Sequence, residues 1–387
     1  MRLFKNPDIK FMKYKYFAFA VSGFIIVTGL FNIIANKQLN YGIDFAGGTL
    51  TQIVFKNPIP IKNIRQSLEQ GGLIDPNVQR VGDESIEFII RTIPTEEERK
   101  KEIEIHELIG EKVINILKTS EDKLSEQKGL EDLNNIDDRT LSAILESSGV
   151  ENASEIATKI IDLRNAPEET KGIFHDYEQL QNKGISSDIM KILKEKTYLG
   201  SLSVKRKETV GPRVGHDLRR KATQATIWAL LGMLVYIGIR FKFAFGVSAI
   251  ITLAHDVLIT IGIFSFTNRE INLPVIAAIL TIVGYSLNDT IVIFDRVRDN
   301  LKILRKLNFE SILDRSINQT LSRSAITSGT TFLTVFSLFL FGGTVINDFA
   351  FTMIIGVIIG TYSSIFQSCS LLYFWNKFFK PKKGMRK

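Results

Sequence analysis

The sequence has a single cysteine, Cys369, and four histidines in 387 residues. One cysteine forms no intramolecular disulfide, so a domain outside the membrane must rely on a packed core. The histidines and Cys369 show no metal-ligand spacing. Residues 42–48 lack the Lys-Ser/Thr of a Walker A loop and the spacing of a dinucleotide fingerprint. The sequence therefore predicts no cofactor, no metal site and no ATPase site, and any energy source must be a gradient or a partner.

Six segments are long and apolar enough to cross a hydrocarbon core, which takes about 20 residues. They are residues 16–35, 222–239, 243–266, 271–294, 325–341 and 349–374. A buried helix of a soluble protein is typically about 10–14 residues long, so the pattern predicts a polytopic α-helical membrane protein with six transmembrane helices. The first segment has no small-x-small cleavage site, and we expect a retained anchor rather than a signal peptide.

The net charge of +8 is the sum of two unlike parts. Residues 37–221 hold 28 Lys/Arg against 32 Asp/Glu, and the rest of the chain holds 21 against 9. If successive spans cross the membrane in opposite directions, 20 of the 21 Lys and Arg residues outside 37–221 lie on one side, in residues 1–15, 240–242, 295–323 and 375–387. Only Arg269 lies on the other side. Short loops rich in Lys and Arg stay in the cytoplasm. The sequence therefore predicts cytoplasmic tails at 1–15 and 375–387 and an extracytoplasmic domain over 36–221.

One basic run opposes this topology, because it stands on the outer side just before the second span: Arg213, Arg219, Arg220 and Lys221. Long translocated domains escape the charge rule. We interpret the run as an amphipathic helix on the membrane surface.

The outer domain shows strand-like alternation at residues 48–56, 85–92 and 199–207, with helical spacing at 61–73. This order predicts a small α+β domain of ferredoxin-like type. Residues 94–196 form an acidic, mostly helical insert with 15 basic and 24 acidic residues. Part of it resembles the helix-hairpin-helix repeats of DNA-uptake and secretion proteins. The phosphate-gripping glycine hairpin is missing and the charge opposes DNA contact, which favours a protein-contact or spacer role over nucleic-acid binding.

Ionisable side chains lie inside the spans, where a charge costs about 2.5–3.5 kcal/mol and usually marks an ion path. Asp289 lies in the fourth span and Arg323 opens the fifth, at similar depth on antiparallel helices. An acid that can lose its proton, beside a permanent cation, is the composition of a proton relay. Helical spacing places Ser286 on the face of Asp289, and Thr327 with Thr330 or Thr331 on the face of Arg323. His255 and Asp256, near the middle of the third span, are further candidates for a supporting role.

A purely structural interpretation of the same residues stays open. Asp289 and Arg323 would then form a fixed salt bridge that holds two helices together, and the hydroxyls would serve as contacts between helices. His255 would likewise hydrogen-bond a neighbouring helix. We favour the relay for Asp289, because lone acids inside a membrane are usually functional.

Five motifs in order resemble the SecF family of protein-export membrane subunits. They are residues 41–49 (YGIDFAGGT), 210–215 (VGPRVG), 255–256 (HD), 284–298 (GYSLNDTIVIFDRVR) and 320–331 (TLSRSAITSGTT). By motif match, the proton-path acid and arginine of the family fall on Asp289 and Arg323. From the first two motifs we expect a structural role for Tyr41, Gly42, Asp44, Gly47, Gly48, Gly211 and Pro212.

The resemblance implies a bacterial inner-membrane subunit that works with a SecD-like partner and resembles the resistance-nodulation-division superfamily. It implies use of the proton-motive force to move unfolded preproteins through and out of the SecYEG channel after the ATPase SecA has driven entry. YajC and YidC are further partners that it implies. Residues 94–196 exceed the usual outer domain of this family, so no substrate-gripping detail carries over.

Two other functions stay open on the residues alone. The chain would be half of a small-molecule exporter of the same superfamily, or a purely structural subunit that stabilises the translocon. The exporter predicts large outer domains in both halves of one longer chain, whereas the structural subunit predicts tolerance of neutral substitutions at Asp289 and Arg323. A carboxylate with hydroxyls serves H⁺ or Na⁺, so the coupling ion is open as well.

Overall fold

A computed structural model of the chain describes residues 4, 7–36, 39–74, 76–82, 84–92, 104–166, 170–241 and 243–379. The chain divides into two units. One unit comprises Met1–Gly42 and Leu218–Lys387, and the other comprises Ile43–Asp217.

The elements are numbered in chain order, and a short 3-10 helix (Phe11–Tyr14) precedes the first α-helix. The helices are α1 (Lys15–Asn36), α2 (Ile43–Ala46), α3 (Ile61–Gln70), α4 (Glu104–Leu117), α5 (Ser120–Gln127), α6 (Asp138–Ser147), α7 (Ala153–Asn165), α8 (Glu178–Asn182), α9 (Ser187–Lys196), α10 (Pro212–Arg240), α11 (Phe243–Thr267), α12 (Leu273–Ile303), α13 (Phe309–Phe341) and α14 (Gly343–Phe379). The strands are β1 (Asn40–Tyr41), β2 (Gly48–Phe55), β3 (Asn77–Val81), β4 (Glu87–Thr92), β5 (Glu131–Asp132), β6 (Thr197–Tyr198), β7 (Leu202–Val210) and β8 (Glu270–Ile271).

Six helices are long and apolar enough to cross a membrane, namely α1 and α10 to α14. This confirms the prediction of six apolar spans. Helix α13 begins at Phe309, well before the predicted apolar segment at 325. Its first turn is capped by Asn308, whose side chain accepts a 2.8 Å hydrogen bond from the Ser311 amide. An N-cap satisfies a backbone donor that the helix leaves free, so the polar turns before the apolar segment stay helical.

Small residues let the membrane helices approach closely. A Cβ on Gly356 of α14 would lie 2.1 Å from the Ile282 side chain of α12, and one on Gly360 would lie 3.1 Å from the Ser286 Cβ. A Cβ on Gly29 of α1 would lie 2.9 Å from the Cα of Gly262 of α11. Glycines spaced four apart are a common device for packing helices in lipid. The contact of α12 with α14 brings the polar residues of both helices together.

The second unit is built on a four-stranded antiparallel sheet in the order β3-β4-β2-β7. Helices α3 and α4 contribute to its core through Ile64 and Val113, against Ile53 and Phe88 of the sheet. The predicted strands at 48–56 and 85–92 correspond to β2 and β4, and the last strand runs from 202 to 210 rather than 199 to 207. Strand β3 was not predicted, because its short, polar sequence alternates weakly at the edge of the sheet.

The acidic insert has a hydrophobic core of its own, formed by α6 to α9 around residues such as Leu141, Leu145, Ile160 and Leu193. Helix α4, predicted as part of the insert, packs instead with the sheet, and the separate hydrophobic core of the insert begins at Leu133. Residues 94–103 of the predicted insert lie outside the described residues.

Polar side chains hold the insert to the start of β7. Strands β5 and β6 pair in parallel, and Asp132 accepts a 2.9 Å hydrogen bond from the Gly200 amide. Asn135 bridges the Leu202 carbonyl (2.9 Å) and the Val204 amide (2.8 Å). These three hydrogen bonds to backbone groups of residues 200–204 fix the insert to the start of β7.

Candidate functional site

Asp256 of α11 is the most highly coordinated acid of the membrane helices in the part of the chain that the structure describes. Its side chain is 1% exposed. One carboxylate oxygen accepts hydrogen bonds from Ser286 of α12 (2.5 Å) and Ser363 of α14 (2.8 Å). The other lies 2.8 Å from Nδ1 of His255. Hydrogen bonds to the charged form of an acid stabilise that form, so three helices meet at a carboxylate whose charge is locally compensated.

His255 leaves one ring nitrogen open. An ionised Asp256 only accepts hydrogen bonds, so Nδ1 must carry the proton and Nε2 of the neutral ring is an acceptor. Among the described residues, Nε2 is buried with no hydrogen-bond partner. The ring lies beside Tyr362, with centroids 6.4 Å apart. Nε2 of His255 is therefore an acceptor that no described residue uses.

Asp289 of α12 is 2% exposed and has fewer partners than Asp256. The Ser328 hydroxyl of α13 lies 3.5 Å from its Oδ2, and Thr361 of α14 donates a 2.7 Å hydrogen bond to the same Ser328 oxygen. Ser324 of α13 is close to the carboxyl. Its buried hydroxyl makes no hydrogen bond of ordinary geometry within the described chain. Asp289 thus sits in a buried, sparsely hydrogen-bonded environment lined by hydroxyls.

The two acids are linked through one helix face. Ser286, which donates to Asp256, stands three residues before Asp289, and residues at that spacing share a face of an α-helix. Helix α14 reaches both acids, through Ser363 to Asp256 and through Thr361 and Ser328 to Asp289. The close approach at Gly360 permits this, because a side chain there would collide with Ser286.

Arg323 is exposed, and no ion pair joins it to Asp289 within the described residues. It is near enough for its charge to act on the Asp289 carboxylate. The predicted neighbours Thr327, Thr330 and Thr331 form no hydrogen bond with either acid in the described structure, and Thr330 bonds the Ile326 carbonyl of its own helix at 2.9 Å. The α13 side chains next to Asp289 are Ser324 and Ser328 instead. The roles of Arg323 and the threonines stay predictions.

A run of polar residues in α14 was not singled out from the sequence. Its members are almost fully buried: Ser363, Ser364, Gln367, Ser368 and Ser370. Gln367 donates to the Ser22 hydroxyl (2.7 Å) and the Ala18 carbonyl (3.1 Å) of α1. The signal was present as a density of hydroxyls in the last apolar span, and it marks the helix that contacts Asp256 directly and Asp289 through Ser328 of α13.

The first residues of the glycine motif, Tyr41 and Gly42, are held by backbone hydrogen bonds to residues around β8. Strand β1, with Tyr41, pairs in parallel with β8, and the Gly42 amide donates a 2.9 Å hydrogen bond to the Ile271 carbonyl. The Tyr41 ring receives the guanidinium of Arg219 at 4.6 Å.

The other motif residues lie in the second unit, where Asp44 is part of α2. Gly47 has φ +72°, a conformation that favours glycine. Gly48 begins β2, and Gly211 and Pro212 stand at the start of α10.

Two family models match the chain. "Protein export membrane protein SecD/SecF, C-terminal" matches residues 189–378, and "SecD/SecF GG Motif" matches residues 33–59. The second covers Gly47 and Gly48, and the first covers both buried acids.

Similar proteins extend over nearly the whole chain. "Protein translocase subunit SecF" of Koribacter versatilis is 36% identical over 96% of this chain and 93% of its own length. The protein of the same name from Desulfurispirillum indicum is 37% identical over 95% and 91%. That of Escherichia coli O157:H7 is 31% identical over 93% and 86%. The small-molecule exporter that the residues left open receives no support from these relatives.

A solved structure shares the fold. The crystal structure of SecDF, a translocon-associated membrane protein from Thermus, matches with a TM-score of 0.65 and 28% identity. The match covers 96% of this chain and 39% of that longer one. A SecDF structure in a super-membrane-facing form matches with a TM-score of 0.55 and 29% identity.

The six apolar helices and the similarity to curated relatives define a multi-pass inner-membrane protein of the protein-export class. The chain belongs to the SecF family of protein translocase subunits.

Proposed function

We propose that the chain works with a SecD-like subunit and uses the proton-motive force to promote preprotein movement through and out of SecYEG. The family membership and the similarity to SecDF support a SecD-like partner. SecYEG, SecA, YajC and YidC follow as partners from the family resemblance. In this account the chain carries no ATPase site, and the ion gradient supplies its energy.

The buried Asp289 carboxyl is the single observation that carries the proposal. It lies in a membrane helix among hydroxyls from α13 and α14, with no ion pair in the described structure. An uncompensated charge inside a membrane is costly, so this surrounding favours an acid that gains and loses a proton.

Arg323 gives the protonation change a mechanical consequence. When Asp289 is ionised, it attracts the Arg323 guanidinium and draws α12 and α13 together; when it is protonated, the attraction is lost. One charge moving through 100 mV is worth about 2.3 kcal/mol, which biases a two-state equilibrium roughly fifty-fold. Asp256 of α11 accepts a hydrogen bond from Ser286, three residues before Asp289 on α12, so in this proposal His255 and Asp256 receive or supply the proton.

The domain between α1 and α10 is, in this proposal, ferredoxin-like and extracytoplasmic. Its sheet order of β3-β4-β2-β7, with α3 after the first strand and α4 before the last, supports the ferredoxin-like topology. The asymmetry of Lys and Arg between the two sides of the membrane supports cytoplasmic termini. The domain would follow the movement of the membrane helices and transmit it to the emerging preprotein.

The test is gradient-dependent translocation in proteoliposomes that contain the chain, a SecD-like subunit, SecYEG, SecA and a preprotein. Asp289→Asn should abolish the stimulation by an imposed pH gradient and leave the ATP-driven component intact. Asp299→Asn is the matched control, because it makes the same change at an exposed position of the same helix. Full stimulation in a correctly inserted Asp289→Asn protein would show that Asp289 does not couple the gradient.

A further inference from the structure

A cavity of about 1160 Å³ lies at one end of the membrane unit, between the N-terminal segment and the first turns of α13. Its walls are mainly polar and carry the cations Lys10, Lys13, Arg296 and Arg315. The proposed proton path runs between α11, α12, α13 and α14 and does not use this cavity.

The wall nearest α13 is built by a ladder of side chains one helical turn apart, which binds the N-terminal segment along the helix: Glu310, Asp314, Asn318 and Ser322. Their partners are Lys15 Nζ (2.8 Å), the Met12 amide (2.8 Å), the Ile9 amide (3.0 Å) and the Phe4 amide (3.1 Å). This ladder fixes the N-terminal segment in place. It also occupies the two acids of the wall, because Glu310 pairs with Lys15 and Asp314 accepts a backbone hydrogen bond.

The remaining charges of the cavity are mostly positive. Lys10, Lys13, Arg296 and Arg315 are exposed, and the ion pairs of the described residues include none of them. Asp8 is the one further acid among the residues that line the cavity. Because Lys15 pairs with Glu310, these four cations face the carboxylates of Asp8 and Asp314 and leave the lining with an excess of positive charge. Arginine and lysine are the residues that bind phosphate, so the cavity suits an anion.

Aromatic residues place this cavity at the depth of the lipid headgroups. Tyr14 and Tyr16 flank Lys15 and are 52% and 60% exposed. Tyrosine and tryptophan collect at the boundary between membrane and water. Trp375, near the end of α14, contacts Phe243 at the start of α11. Below the cavity, α1 exposes Phe17, which is 70% exposed, and offers an apolar surface for an acyl chain.

We propose that this cavity binds the phosphate of an anionic membrane lipid, with its acyl chains against the exposed face of α1. Basic recesses between helices at the membrane surface are suited to anionic headgroups. A soluble phosphate would satisfy the same cations, but the position among interfacial aromatics and the adjoining apolar face of α1 favour a lipid. The bound headgroup would join the N-terminal segment to α12 through Arg296 and to α13 through Arg315.

The test compares two variants of the full chain that each lose two charges. Lys13→Gln with Arg315→Gln removes cations of the cavity, and Arg305→Gln with Lys306→Gln removes exposed cations of the adjoining turn, which do not line it. Binding of phosphatidylglycerol and of phosphatidylcholine with the same acyl chains is measured by native mass spectrometry of the detergent-solubilised protein. Wild type and the turn variant should prefer phosphatidylglycerol at least about fivefold, and the cavity variant should lose that preference.

Equal loss in both variants would mean diffuse attraction to the basic face and would overturn the site. Retained preference in the cavity variant would overturn it as well. A competition arm with inorganic phosphate and glycerol phosphate separates the two sources of the anion. Displacement of the lipid by either soluble anion at equal concentration would assign the cavity to a soluble phosphate and overturn the lipid.

Discussion

Ser363 of α14 donates a 2.8 Å hydrogen bond to Asp256 of α11. This contact fixes the last span against the third at the level of a buried acid. It also means that any change in the charge of Asp256 is felt by α14, the helix that reaches Asp289 through Thr361 and Ser328. Helix α14 is therefore hydrogen-bonded to the surroundings of both acids, although Asp256 belongs to α11 and Asp289 to α12.

Ser363→Ala should destabilise the membrane unit more than Ser368→Ala does. Both hydroxyls are buried in α14, but Ser368 bonds the Ser364 carbonyl of its own helix at 2.6 Å. A hydrogen bond to a charged group contributes about 1.5–3 kcal/mol, and contacts between membrane helices average less. We expect a difference of about 1 kcal/mol in the free energy of unfolding, measured by titration with a denaturing detergent. Equal losses would mean that the Ser363–Asp256 contact contributes nothing specific.

Gly356→Ala should weaken the packing of α12 against α14. The added methyl would lie 2.1 Å from the Ile282 side chain, so that side chain or the helices must move. Overpacking of this kind costs about 1–3 kcal/mol. Gly329→Ala in α13 is the control, because a Cβ there meets no described atom within 4 Å. The same detergent titration should show a loss for Gly356→Ala alone, and an unchanged midpoint would refute the close approach.

Attachment of the insert should depend on pH through Asp122. Burial raises the pKa of this carboxyl, but hydrogen bonds from Ser201 and Thr119 outweigh it and hold the pKa below its usual range. The folded pKa is thus lower than the unfolded one. The ionised form stabilises the junction above about pH 4, and this contribution is lost as the pH falls through the folded value.

Hydrogen exchange of the full chain, corrected for the intrinsic rate, measures this effect at the amides of residues 199–204. Protection there should fall below about pH 4, and Asp122→Asn should lower it at neutral pH and flatten its pH dependence. Asp188→Asn is the control, since that side chain is 90% exposed. Burial raises the pKa of the neighbouring Asp132, whose contribution has the opposite sign. An unchanged pH profile in Asp122→Asn would assign the dependence to other groups.

Hydropathy made the six spans predictable, because about 20 consecutive apolar residues are a signal that one sequence carries by itself. Asp256 and Asp289 could be singled out because acids are rare in such segments. Their partners could not, because most hydroxyls in membrane helices bond their own backbone, as Thr330 does. Which face of α13 and α14 meets the acids depends on the close contacts at Gly356 and Gly360, and these involve helices distant in sequence.

The outer unit shows the same division between local and distant information. Alternation identified β2 and β4, both buried against helices. Strand β3 was not predicted, because the sequence of an edge strand mixes polar and apolar residues. Helix α4 was assigned to the insert because its many charged residues obscure the apolar face formed by Ile109 and Val113. The predicted contact between Asp289 and Arg323 rested on matched depth, which does not fix the direction of a long arginine side chain.

The most direct test of the central claim is infrared difference spectroscopy of the full chain in membranes, scanned across pH. We expect a protonated carboxyl band that disappears as the pH rises, is missing in Asp289→Asn, and persists in Asp299→Asn. A band that is the same in Asp289→Asn and wild type, or an Asp289 carboxyl whose protonation does not change across the scanned pH range, would contradict the claim that Asp289 takes up and releases the coupling proton.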